Sequence, residues 1–166
     1  MITLRSIKHH PDMSEETLCF SATIYSGARR IGFVRNNGRG GCNRYEWTDV
    51  ATARVALEGV GLDLHHQGLD EFFDDLVLRE DIRKQLTKKC AKGTLFRLKG
   101  DSTDGWRSVN VNAKPAAYGP SVRQWLLRTY GDQIETIANE DIGRAVEVEF
   151  QWYRNSQRDY DTTYAD

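Results

Sequence analysis

Apolar and polar residues alternate strictly over two short segments, and this pattern limits the folds open to the chain. In residues 18–24 every second side chain is apolar. A period of two is typical of a β-strand with one buried face, because a strand buried on both faces would be a continuous apolar run. Residues 146–152 alternate valine and aromatic side chains with acidic or amide ones, which is the clearest strand pattern in the sequence. The sequence therefore predicts sheets that are covered on one face.

The first of these segments belongs to a predicted β-hairpin. Residues 26–29 contain a glycine suited to a turn, and Ile31 and Phe33 resume the alternation, so residues 17–35 predict two paired strands. Further strands are predicted at four places: at Ile2 and Leu4, at Tyr45 and Trp47, at residues 95–98, and at residues 106–111.

Helices are predicted between and after these strands. In residues 69–91 the apolar side chains of Leu69, Phe72, Phe73 and Leu76 have helical spacing, and the pattern shifts near Arg79, which predicts a bend there. Acidic residues come first in this helix and basic ones last, which complements the helix dipole. Other helices are predicted at residues 49–58, at residues 120–130, and, as a short helix that carries Ile134 and Ile137, at residues 132–137.

Hairpins that are separate from helices favour an α+β fold. We expect a largely antiparallel sheet built from hairpins, with two to four helices packed on one face. A length of 166 residues predicts a single domain over 1–166, with a subdivision near 59–68 left open. The loss of periodicity after Arg154 predicts a frayed tail at about 154–166.

Composition and charge exclude several functional classes. The 23 Lys and Arg residues nearly balance 24 Asp and Glu residues, which argues against a histone-like nucleic-acid coat and against an acidic DNA mimic. Three scattered cysteines predict a reducing compartment. Neither a signal-peptide run nor an apolar segment of membrane-spanning length is present, so we expect a cytoplasmic protein with no membrane partner.

The segment 35–44 is the most unusual in the chain, because it carries three arginines on a glycine-rich stretch with no acidic residue. Guanidinium groups and exposed backbone N–H groups suit phosphate or carboxylate ligands. The candidate binding residues are therefore Arg35, Arg39 and Arg44, together with the neighbouring aromatic residues Tyr45 and Trp47. The alternative is a mobile hairpin connection with solvated arginines.

Other candidate sites have simpler structural explanations. Two histidine pairs offer metal ligands, but the side chains of adjacent histidines point in different directions on a strand or a helix. A position on the surface, with no metal bound, also accounts for both pairs. Cys42 as a nucleophile would need a base that the sequence does not identify. The acidic group at 70–75 fits a solvated helix N-terminus. We therefore predict no catalytic residue, no metal and no cofactor, and we leave open a chemical role for Cys42, His9, His10, His65 and His66.

Three segments of the chain, which are residues 14–25, 36–45 and 94–101, resemble parts of small uncharacterised proteins that bacteriophages and other bacterial mobile elements carry. Phage accessory genes of this size often encode inhibitors of host defence, including anti-CRISPR proteins, which mostly bind and block a protein complex. The resemblance brings no catalytic residues with it, and it implies function by association.

Two functions follow from these patterns. The first is a non-enzymatic phage or mobile-element accessory protein that binds and inhibits a host (defence) protein complex, with the segment 35–44, Tyr45 and Trp47 as the contact patch. The alternative is a small nucleic-acid or nucleotide-binding module that uses the segment 35–44, which we call the arginine loop. An enzyme is the less favoured reading. The partner's identity and the oligomeric state do not follow from the sequence.

Overall fold

The computed structural model describes residues 1–65, 67–101 and 105–163, with side chains described as far as residue 156. The chain forms two compact units, Met1–Leu78 and Arg79–Asp166. The single domain expected from chain length stays a prediction. No helix in the described residues has both the length and the apolar character needed to cross a lipid bilayer.

A four-stranded antiparallel sheet forms most of the first unit. Its strands are β1 (Ile2–His9), β2 (Cys19–Ser26), β3 (Arg29–Asn37) and β4 (Arg44–Trp47). They lie in sequence order, so each strand pairs with its neighbour in the chain. The predicted hairpin and the strands on either side of it are confirmed.

Two helices cover one face of this sheet, which we call the inner face. They are α1 (Val50–Glu58) and the first part of α2 (Leu69–Cys90). The side chains that point inward from the strands, including Phe20, Ala22, Ile24 and Val34, form one core with Ala53, Leu57, Phe73 and Val77 from the helices. Burial of a large apolar side chain contributes about 1.5–3 kcal/mol, so this face supplies most of the unit's stability.

The second unit contains two small antiparallel sheets and the remaining helices. Strand β5 (Leu95–Leu98) lies between β6 (Arg107–Ser108) and β9 (Ile134–Ile137), and β7 (Asn110–Val111) pairs with β8 (Lys114–Pro115). The helices are α3 (Pro120–Tyr130) and α4 (Ile142–Thr163). Phe96, Val109, Leu126 and Ile137 form a buried cluster. The α+β class is confirmed by the antiparallel sheets and the four α-helices of the described residues.

The strand predicted at residues 146–152 is wrong, because this segment lies within α4. Ala145, Val146 and Phe150 are buried, which is a helical spacing that overlaps the period of two. Asp141 precedes the helix, and its side chain accepts a hydrogen bond from the backbone N–H of Arg144. That N-terminal cap was the signal that favoured a helix.

Two further predictions need correction. The short helix expected at 132–137 is a 3₁₀ turn followed by β9, which pairs with β5. The strand expected at 106–111 is divided into β6 and β7. Helix α4 extends to Thr163, and the last three residues lie outside the described part of the chain, so the frayed tail expected at about 154–166 stays a prediction.

Candidate functional site

The second face of the N-terminal sheet, which we call the outer face, lies opposite the helices that the described residues of the first unit form. The side chains on this face come from the strand residues that alternate with the buried core residues. The outer face is therefore where a sheet that is covered on one side meets solvent.

Basic residues form a row across this face. The register places Lys8 opposite Ser21, Ser21 opposite Arg35, and Arg35 opposite Arg44, so one row crosses all four strands. All four side chains are exposed. With neighbouring strands about 4.8 Å apart, the row is about 14 Å long. Like charges directly opposite each other are destabilising, so sheet stability does not explain the pairing of Arg35 with Arg44.

One acidic residue shares the outer face with these cations. Arg35 makes an exposed ion pair with Glu46, with Nη2 3.2 Å from Oε1. In the described residues, no carboxylate lies within ion-pair distance of Arg39 or Arg44. An exposed pair of this kind contributes little stability. Two of the three predicted arginines therefore remain available to an external anion, and the third is held by a solvent-exposed partner.

Charge is separated between the two sides of the first unit. Residues 1–78 contain eight Lys and Arg against eleven Asp and Glu, so the unit as a whole is acidic. Five of its cations nevertheless occupy outward strand positions: Arg5, Lys8, Arg30, Arg35 and Arg44. The start of α2, on the other side, carries four carboxylates at residues 70–75. An anionic partner is therefore attracted to the outer face in particular.

Two aromatic rings lie among these cations. Phe33 is 37% exposed and pairs with Glu46 on β4. The guanidinium carbon of Arg30 lies 5.3 Å from the centroid of the Phe33 ring, and that of Arg5 lies 4.2 Å from the Tyr25 ring. These distances are those of cation–π contacts. The outer face thus combines charge with aromatic surface.

Tyr45 and Trp47, which were predicted to bind a partner together with the arginines, lie on the inner face. Their rings stack on each other, with centroids 5.6 Å apart and planes 4° apart, and both pack against Phe73. The Tyr45 hydroxyl donates a hydrogen bond to Asp70 Oδ1 at 2.6 Å. Burial and this hydrogen bond raise the pKa of Tyr45 well above its usual value. The strand pleat therefore divides the predicted site between two faces.

The arginine loop is braced from within by two asparagines. The Asn36 amide donates to Asn43 Oδ1 at 3.0 Å, and the Asn43 amide donates to Asp74 Oδ1 at 2.8 Å. The backbone N–H of Asn43 donates to Asp70 Oδ2 at 2.9 Å. Burial raises the pKa of Asp74, against the opposing effect of the Asn43 hydrogen bond. The start of α2 thus holds the base of the loop. The sequence alone predicted only a solvated helix N-terminus at residues 70–75.

Gly38, in the same loop, packs against residues 13–16. Its φ is +80°, and a Cβ at this position would lie 2.2 Å from the carbonyl oxygen of Met13. The Gly38 carbonyl accepts hydrogen bonds from the backbone N–H groups of Glu15 and Glu16, at 2.9 and 3.1 Å. Glycine is therefore required here by close packing and a left-handed backbone.

Two open clefts meet at Arg35 and Arg44. One, of about 510 Å³, is lined by these two arginines and by the residues between them apart from Gly38 and Arg39. The other, of about 400 Å³, lies on the outer face and also includes Lys8 and Ser21. The structure thus brings Arg35 and Arg44 to one concave surface, whereas Arg39 lies outside both linings.

The remaining candidates are not grouped into a site within the described residues. In the part of the chain that the structure describes, no three His, Cys, Asp or Glu side chains are grouped to hold a metal ion. Cys42 is an exposed free thiol. The backbone N–H of His65 donates to Asp63 Oδ1 at 2.7 Å, and His66 lies outside the described residues. His9 is the last residue of β1, and His10 follows it before a short 3₁₀ turn.

Sequence reasoning missed the part of the site that lies outside residues 35–47. Arg5, Lys8, Tyr25 and Phe33 each occupy an outward position on strands β1 to β3. The period of two along β3 and β4 was a usable signal, because it places Phe33 on the same face as Arg35, and Tyr45 and Trp47 on the other face from Arg44. Lys8 could not be aligned in the same way, because a register shift lies between Arg5 and Lys8.

Comparison with known proteins adds no relative to this description. No protein-family model matches the chain, and neither a curated protein nor a solved structure matches it.

Proposed function

We propose that the chain is a non-enzymatic binding protein and that its outer face binds nucleic acid through the phosphates. The supporting observation is the row from Lys8 to Arg44, which carries three cations across four strands with like charges opposite each other. Lysine and arginine contacts to phosphates supply much of nucleic-acid affinity, because they release condensed counterions. A tract of charge suits an extended polyanion better than a single small anion.

The geometry of the loop supports the same proposal. Asn36 and Asn43 hold the base of the loop, so Arg35 and Arg44 are presented by a braced backbone. Pre-organised groups lose less conformational freedom when they bind. A reducing, cytoplasmic location, as expected from the cysteines, fits a nucleic-acid partner and belongs to this proposal.

Fluorescence anisotropy with labelled single-stranded and double-stranded oligonucleotides at low salt tests the proposal. The wild-type protein is expected to bind, and Arg44→Gln is expected to bind several-fold more weakly because a phosphate contact is lost. Arg54→Gln is the matched control, since Arg54 is an exposed cation on α1. The proposal fails if no oligonucleotide binds, or if the two variants weaken binding equally.

The inhibition of a host (defence) complex by a phage accessory protein is a second candidate function for the same face. Arginine and aromatic side chains are frequent anchors of protein interfaces, and Arg35, Arg44 and Phe33 are all exposed. The partner would need an acidic surface.

A pair of measurements separates this candidate from the first. We expect the purified wild-type protein to bind no oligonucleotide if a protein is its true partner. It should instead retain a stoichiometric partner from a bacterial lysate, and Arg35→Gln with Arg44→Gln should release that partner. Oligonucleotide binding by the purified protein, with no partner retained, contradicts this candidate.

A further inference from the structure

We infer that the outer face takes single-stranded nucleic acid, whose bases stack on Phe33 and Tyr25 while the cationic row contacts the phosphates. This inference rests on the proposed function and specifies its ligand. One residue of the outer face is not needed to bind phosphate.

Phe33 is that residue. It lies on β3, an interior strand of the sheet, at a position that points away from the core. Its cross-strand neighbours are polar, with Thr23 on one side and Glu46 on the other. A sheet with one solvated face normally carries polar side chains at such positions, so a phenylalanine there is unexplained by the packing of the unit.

Each of the two aromatic rings has an arginine guanidinium stacked over it. The guanidinium of Arg30 lies over Phe33, and the guanidinium of Arg5 lies over Tyr25. Tyr25 lies two residues from Thr23, which pairs with Phe33, so the rings occupy diagonal positions on neighbouring strands. Nucleic-acid bases stack on aromatic rings and on arginine planes, and both kinds of platform are present here.

The spacing along β3 connects the rings to the cationic row. Arg35 follows Phe33 by two residues, so both side chains lie on the outer face, about 7 Å apart along the strand. A base stacked on Phe33 therefore has its backbone close to Arg35 and to the neighbouring Arg44. A duplex cannot use the rings in this way, because its bases are already stacked on each other inside the helix.

Three labelled probes of about 12 nucleotides test the inference by fluorescence anisotropy at low salt. They are an oligo-dT single strand, an abasic single strand with the same phosphates, and a duplex. We expect wild-type protein to bind oligo-dT about tenfold more tightly than either other probe. The same result with oligo-U in place of oligo-dT equally supports the inference.

Phe33→Leu identifies the ring that is responsible. This variant should lose most of the preference for oligo-dT over the abasic strand, while its affinity for the abasic strand stays unchanged. Tyr153→Leu is the matched control, since Tyr153 on α4 is also 37% exposed. Circular dichroism melting checks that Phe33→Leu remains folded.

The possible failures can be told apart. Equal binding of oligo-dT and the abasic strand, with Arg44→Gln weakening both, overturns the stacking inference and leaves the proposed function in place. Tighter binding of the duplex has the same consequence, as does a Phe33→Leu variant that weakens all probes equally. Absence of binding to every probe overturns both proposals.

Discussion

The inner and outer faces of the N-terminal sheet share four strands and differ in what their side chains contact. On the inner face, Phe20, Ile24 and Val34 are at most 2% exposed and pack against the helices. On the outer face, Arg35 lies opposite Arg44, and Phe33 contacts solvent. Packing explains the apolar side chains of the inner face, whereas the Arg35–Arg44 pair on the outer face reduces stability. That difference indicates which face is available for binding.

The two faces are joined by the loop between β3 and β4. Asn36 and Asn43 connect Arg35 and Arg44 to Asp70 and Asp74 at the start of α2. Substitutions on the two faces should therefore separate stability from binding, and substitutions in the loop should affect both.

The largest effect on stability is expected from Phe73→Ala. Phe73 on α2 is fully buried against the sheet, where its ring packs against Tyr45 and Trp47 of β4. Removal of a buried phenylalanine ring costs about 3–5 kcal/mol through lost burial and the cavity that remains. Urea unfolding measures the loss, and a cost below about 1 kcal/mol would show that the inner face is not the core of this unit.

Gly38→Ala is expected to cost about 3 kcal/mol, because the left-handed backbone and the contact with Met13 both oppose a Cβ. Gly41→Ala is the matched control, since Gly41 has a φ of +88° but open space around it. Its cost should be only the backbone term of about 1–2 kcal/mol. Equal losses for the two variants, measured by urea unfolding, would contradict the close packing of Gly38.

Asp74→Asn is expected to stabilise the protein at neutral pH. Burial raises the pKa of Asp74 in the folded state above its ordinary value of 3.8. The charged carboxylate of Asp74 therefore opposes folding at neutral pH. This cost decreases as the pH falls through the raised pKa of the folded state, and it is absent once Asp74 is protonated in the unfolded state as well. The asparagine oxygen can still accept the hydrogen bond from Asn43. Thermal melts at pH 7 and pH 3 measure the effect, and a gain that does not shrink at pH 3 would contradict this sign.

The smallest effect on stability is expected from Arg44→Gln. This substitution removes the charge opposite Arg35, so a gain of about 0.2–0.5 kcal/mol is expected in urea unfolding at low salt. The gain should vanish at high salt, where exposed charges are screened. A clear loss of stability would mean that Arg44 supports the fold, and that its role in binding needs another explanation.

The strand order of the first unit follows from the sequence, and the composition of its binding surface follows only in part. The alternation at 18–24 predicted β2 because the strand has one covered face. The same pattern misled at 146–152, because Val146 and Phe150 fit a helix as well as a strand, and Asp141 caps a helix there. Arg35 and Arg44 were found as neighbours in a loop. Their alignment with Lys8 depends on pairing across four strands, which no local pattern contains.

The salt dependence of binding tests the role of the outer face most directly. For a single strand, the logarithm of the affinity falls with the logarithm of salt concentration by about 0.7 per phosphate contact. The double variant Arg35→Gln with Arg44→Gln should therefore show a slope smaller than wild type by about 1.4, while Arg54→Gln keeps the wild-type slope. A slope that the double variant leaves unchanged would contradict the assignment of binding to the outer face.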